Sequence, residues 1–117
     1  MMVKLAIVGS RTFKDYNILE KHILDLYKIE DIELIISGGA IGADTLGDEF
    51  AKKYNILMKP YLPDWKKYGN RAGMIRNEHI IRNADKVIAF FDGRSPGTSN
   101  SISIAQKLNI PLEIINY

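Results

Sequence analysis

The chain has 117 residues, of which 46% are apolar and 26% charged, with a formal net charge of +2 and no cysteine. That suits one domain over residues 1–117 with an ordinary core, and it excludes disulfides and thiolate metal sites. The weak positive balance makes a nucleic-acid partner unlikely. No apolar run nears the roughly 20 residues of a membrane span and no signal peptide precedes the first apolar run, so a cytoplasmic protein with no membrane partner is expected.

Val3 to Val8 (VKLAIV) has the composition of a short buried strand. Asp15 to Ile29 follows as a helix, with Ile18, Leu19, Ile23, Leu26 and Tyr27 on one face. Glu33 to Ile36 reads as the second strand, and Asp44 to Tyr54 as a helix with Leu46, Phe50 and Tyr54 spaced by four. Ile56 to Leu62 is a weaker third strand, because Pro60 interrupts it. A polar and aromatic loop, PDWKKYGNRAG, covers Pro63 to Gly73 and leads into a helix over Met74 to Arg82. Lys86 to Phe91 (KVIAFF) is the clearest buried strand, Thr98 to Leu108 a last helix, and Leu112 to Ile115 a last strand. Strands alternating with helices imply a parallel sheet covered on both faces, since parallel neighbours need crossover connections. The fold class is therefore α/β, a Rossmann-like three-layer sandwich around a mainly parallel five-stranded sheet.

In such sheets ligands bind beyond the carboxyl ends of the strands, where strand order reverses. The loops at that end are Gly9-Ser10-Arg11-Thr12, Ser37 to Asp44, Pro63 to Gly73 and Asp92 to Asn100. Three of the four combine glycine with small hydroxyl residues, while the opposite ends, such as Glu30-Asp31 and Tyr54-Asn55, are plain polar turns. Glycine lets backbone N–H groups approach an anion, and a helix N-terminus adds free donors and a positive dipole end. Ser37, Gly38 and Gly39 before one helix, and Gly97, Thr98 and Ser99 before another, fit a phosphate site; each set also reads as a short turn with a helix cap.

Neither loop matches G-x-G-x-x-G and neither has the P-loop lysine, so no cofactor is expected. His22 and His79 lack partners at metal-ligand spacing, so no metal is expected either. Arg11, just after the first strand, is placed to act as a fork for phosphate or carboxylate. Asp44 sits in a first helical turn, where it either favours the helix dipole or accepts from a ribose hydroxyl. Arg76 and Asn77 lie near the start of the third helix, at the same edge. Trp65 and Tyr68 read either as packing residues of a lid or as surfaces on which a base stacks.

GSRTF (Gly9 to Phe13), SGGAIGADTLGDEFA (Ser37 to Ala51), DWKKYGNRAGMIRNEHI (Asp64 to Ile80) and PGTSNSI (Pro96 to Ile102), in that order, resemble the YspA, or cpYpsA-related, branch of the SLOG superfamily. That superfamily includes cytokinin-activating phosphoribohydrolases and the DNA-processing protein A family, which binds single-stranded DNA. The resemblance implies a Rossmann-like fold and a pocket for a nucleotide or an ADP-ribose-like derivative. Its ligand set here would be Gly9, Ser10, Arg11, Ser37, Gly38, Gly39, Asp44, Arg76, Asn77, Gly97, Thr98 and Ser99. It also implies a possible homodimer through the outer helices.

The phosphoribohydrolases carry an arginine in a context similar to Met74-Ile75-Arg76-Asn77, and a P-G-G-x-G-T-x-x-E loop whose glutamate works with it. The loop here is shorter, and Ser101 stands where that glutamate would fall. Serine does not replace a carboxylate as acid or base at neutral pH. The leading expectation is a nucleotide-binding domain. An N-glycosidic hydrolase using Arg76 with Asp44 or Asp92 is the first alternative, and a single-stranded DNA-binding module the second.

Overall fold

The computed structural model describes residues 2–39 and 41–117. Five strands, β1 (Val3–Gly9), β2 (Ile32–Ser37), β3 (Leu57–Pro60), β4 (Lys86–Phe91) and β5 (Leu112–Asn116), form one sheet in the order β3-β2-β1-β4-β5. All four pairings are parallel, so every connection is a crossover. The helices are α1 (Tyr16–Leu26), α2 (Ala43–Lys53), the one-turn α3 (Trp65–Tyr68), α4 (Ala72–Arg82) and α5 (Pro96–Lys107). Among the described residues no helix is long and apolar enough to cross a membrane.

The alternation of side chains along β1 divides the core in two. Leu5 and Ile7 point to one face, where Ile35, Ile88 and Phe90 meet Leu19 and Ile23 of α1 and Phe50 of α2. Ala6 and Val8 point to the other, where Ile36, Val87 and Ala89 meet Ile80 and Ile81 of α4 and Ile102 and Ala105 of α5. The result is the three-layer α/β sandwich expected, with α1 and α2 on one side and α4 and α5 on the other. The chain builds outward from β1 to β3, then crosses back to lay β4 against the opposite edge of β1. Strand order therefore reverses between β1 and β4.

Several expected boundaries shift for local reasons. Asp15 caps α1 from outside, its carboxylate accepting the Ile18 N–H at 3.1 Å. That helix ends at Leu26, since Tyr27 is extended and a 3₁₀ turn takes Ile29–Asp31. Ile18 and Leu26, expected on its buried face, are 37% and 43% exposed. Pro60 ends β3, a short edge strand, where its missing N–H costs no ladder bond. The expected loop after it holds α3, capped by Asp64 through the Lys67 N–H at 3.0 Å. A 3₁₀ turn, Gly69–Arg71, then runs straight into α4 at Ala72 instead of Met74. Pro96 opens α5 two residues early, because its fixed φ and lack of an N–H suit the first helical position.

Candidate functional site

A cavity of about 360 Å³ opens at the carboxyl ends of β1 and β4, where the strand order reverses. Its floor is the exit of β1. Gly9 is there because nothing larger fits: a Cβ would fall 2.5 Å from the Ala43 Cβ and 2.7 Å from the Phe90 carbonyl oxygen. Gly42, with φ +89°, brings α2 in so close that a Cβ would collide with the Ser10 carbonyl oxygen. The N-terminus of α2 is thereby seated directly on the β1 exit, with no side chain capping it. Ser10 is buried; its N–H donates to the Phe90 oxygen at 3.0 Å, and its own carbonyl accepts from Phe13 at 3.1 Å.

The loop from β4 to α5 is tied down by Asp92. One carboxylate oxygen accepts the N–H groups of Arg94 and Ser95, both at 2.8 Å, and the Ser95 hydroxyl lies 3.0 Å from each oxygen. The backbone donors from Arg94 and Ser95 stabilise the ionised form and hold the carboxyl at a pKa of about 2. The Ser95 hydroxyl also bonds Ser10 Oγ at 2.8 Å, which in turn accepts the Asp92 N–H at 3.3 Å. Ser95 is the N-cap of α5, yet its side chain makes no capping bond. Pro96 has no N–H and Ser99 donates to the Ser95 carbonyl. Among the described residues, that leaves the N–H groups of Gly97 and Thr98 without an acceptor, at the wall of the cavity.

The opposite wall comes from α4. Arg76 donates through Nη1 to the Gly38 carbonyl at 2.7 Å and through Nε to Asn77 Oδ1 at 3.0 Å. Asn77 is buried and donates through Nδ2 to Asn100 Oδ1 at 3.1 Å and to the Gly97 carbonyl at 3.4 Å. Arg76 thus spans from the β2–α2 loop to the start of α5 with its direction fixed. Burial lowers its pKa from the usual arginine value; Asp44 acts the other way, and Arg11 adds to the lowering. It stays a cation at any physiological pH. The cavity therefore holds two arginines, Asp44 and the open entrance of α5.

Of the residues expected at a site, Gly9, Ser10, Arg11, Asp44, Arg76, Asn77, Gly97 and Thr98 line this cavity together. Ser37, Gly38, Gly39, Ser99 and Asp92 do not. Ser37 is fully buried at the end of β2, with a hydroxyl that makes no hydrogen bond among the described residues. Gly38 meets Arg76 through its carbonyl. Gly39 faces Leu62 and borders a separate hollow with Thr45, Asp48 and Met58. Ser99 is exposed on α5, and Asp92 is spent on its own loop. Ser101 is buried and lines the cavity. Sequence reasoning missed Ser95 and Asn100; the Ser95-Pro96 pair, a capping residue before an N1 proline, was the available signal for the first.

The family model described as YAcAr: YspA, cpYpsA-related SLOG family, matches residues 3–68. The Gene 61 protein of Mycobacterium phage D29 is 34% identical over 123 residues, which cover 99% of this chain and 97% of that one. A solved structure of DNA processing protein A from Helicobacter pylori, described for its unique single-stranded DNA binding mode, superimposes with a TM-score of 0.73 at 22% identity. The match covers 96% of this chain and 64% of that one, so the chain spans under two thirds of that protein's length. This finding corrects one expectation. A protein that shares the fold binds single-stranded DNA, so the weak net charge is no ground for calling a nucleic-acid partner unlikely.

Proposed function

The chain belongs to the YspA, cpYpsA-related SLOG family, and from that premise we propose that it binds a nucleotide or nucleotide derivative at the β1–β4 cavity. The observation that carries this reading is the open entrance of α5. Ser95 turns its hydroxyl to Ser10 and Asp92, leaving the Gly97 and Thr98 N–H groups beside Arg11 and Arg76. N–H donors and a helix dipole next to guanidinium groups are the chemistry of phosphate recognition. Asp44 is the carboxylate that lines the cavity and would accept a ribose hydroxyl, and Gly9 and Ser10 supply the backbone of the floor. The cavity volume, about 360 Å³, is at the lower end of the roughly 300–1,000 Å³ of small-molecule sites. It suits one nucleoside phosphate, and a larger ADP-ribose-like ligand would extend from its mouth.

The reading is of binding without turnover. Ser101 stands where the related phosphoribohydrolases carry glutamate, and losing a general acid or base typically removes about 10²–10⁴ in rate. The test is calorimetric titration of the purified chain with AMP, GMP, CMP and UMP, with the matching nucleosides, and with a 5′-phosphorylated single-stranded oligonucleotide. The oligonucleotide is included because the solved neighbour is a single-stranded DNA-binding protein. At least one monophosphate is expected to bind, and its nucleoside at least tenfold more weakly. Equal binding of both would sink the phosphate site. An oligonucleotide that binds while every monophosphate fails would favour the nucleic-acid module instead. Release of free base in the same mixtures, lost in Asp44→Asn, would replace the binding reading with N-glycosidic hydrolysis.

A further inference from the structure

Trp65 is the chain's sole tryptophan, and it is 58% exposed at the start of α3. A ring of that size left in water does little for the core, so its position calls for a reason. Its Cη2 lies 3.8 Å from where a Cβ would stand on Gly73, so the indole leans on the first turn of α4 at its one bare position. Gly73 precedes Arg76 and Asn77 by three and four residues. The three therefore share one face of α4, the face that carries Arg76 and Asn77 into the cavity. The position on which the indole rests, Gly73, is about one helical turn, roughly 5 Å, from the base of the Arg76 side chain. Leu62 closes over Gly39, next to the Gly38 carbonyl that Arg76 holds. Trp65 thus stands against the helix that carries Arg76 and Asn77 into the cavity, with Lys66 and Lys67 next to it in the chain.

We infer that Trp65 is the stacking platform for the heteroaromatic base of the ligand, an assignment that rests on the nucleotide reading above. The phosphate then sits between Arg76 and the open entrance of α5, and the base emerges from the small cavity onto the exposed indole. Such stacking tolerates any base, because every base has a π face. The platform reads the presence of a base, and its identity is left to other contacts.

The test uses ribose 5-phosphate as the ligand that keeps sugar and phosphate and lacks the base. With the natural chain, AMP, GMP, CMP and UMP are expected to quench the tryptophan fluorescence and to bind about 5- to 150-fold tighter than ribose 5-phosphate. In Trp65→Ala, followed by calorimetry, the monophosphates should fall to the level of ribose 5-phosphate, whose own affinity stays unchanged. Trp65→Phe should restore most of the difference. Monophosphates no tighter than ribose 5-phosphate would overturn the stacking role alone. So would a Trp65→Ala variant that weakens both ligand types equally, the mark of a packing residue, or one that weakens neither. Failure of every monophosphate and of ribose 5-phosphate to bind would overturn the nucleotide reading, and this assignment with it.

Discussion

The entrances of α1 and α5 are built from residues of the same capping class and are used in opposite ways. At α1, Asp15 turns inward and accepts the Ile18 N–H, so the first turn is closed by its own neighbour three residues away. At α5, Ser95 turns outward to Ser10, 85 residues distant in the chain, and to Asp92, and caps nothing. The first helix lies away from the cavity and the second lines it. A capping residue near the cavity is used to shape the loop, and the helix donors are left for whatever enters. Asp64 at α3 follows the α1 pattern, and it too lies outside the cavity lining.

The largest effect expected from this contrast concerns the cation facing the open entrance. Arg76→Ala should weaken binding of the best monophosphate roughly 10- to 100-fold, the loss of a charged hydrogen-bonding fork. Arg82→Ala should be silent in the same titration. Arg82 lies on the same helix but is exposed and loosely paired with Glu78 at 3.7 Å. Equal losses would show that general charge attracts the ligand, and the distinction between closed and open entrances would lose its functional meaning.

A smaller effect tests the closed entrance. Asp15→Ala removes a working cap and should lower unfolding stability by about 1 kcal/mol in urea titration, with ligand affinity unchanged. A change in affinity would mean that α1 is coupled to the cavity.

The smallest effect tests the tie that opens α5. The Asp92 carboxyl has a folded-state pKa of about 2 against 3.8 for an unperturbed group. A folded pKa depressed in this way adds stability that is fully present above pH 3.8 and is lost as pH falls towards 2. Melting temperature should therefore fall across that window in the natural chain and fall less steeply in Asp92→Asn. Identical acid limbs would show that the loop holds without the ionised carboxylate.

Much of the architecture is legible in the sequence, because burial leaves a pattern in the residues. KVIAFF is apolar on both faces because β4 has helices above and below it, and Leu5 and Ile7 against Ala6 and Val8 record the two cores of the sandwich. The carboxyl edge was legible as well, since loops rich in glycine and small hydroxyl residues collect there and not at the other end. Within that edge the reading was coarser. Gly38-Gly39 and Gly97 look equivalent in the sequence, yet the first pair serves a turn braced by Arg76 and Leu62, while Gly97 lies in the wall of the cavity. The helical turn at Trp65–Tyr68 was hidden by its shortness, since four residues carry no periodicity.

The alternating elements, the parallel sheet and the glycine-rich end of the sheet at which the cavity opens follow from local composition and from the crossover requirement of parallel strands. Strand order, and with it the cavity beyond the carboxyl ends of β1 and β4, follows from which faces pack against which, and no single segment encodes that. The same holds for the direction of a short side chain. Whether Ser95 caps its helix or reaches for Ser10 depends on a partner 85 residues away in the chain. Hydrogen bonds of nearly equal strength compete there. Only the folded chain brings Ser10 beside Asp92 and Ser95 to draw the hydroxyl away, leaving the α5 donors open to the cavity.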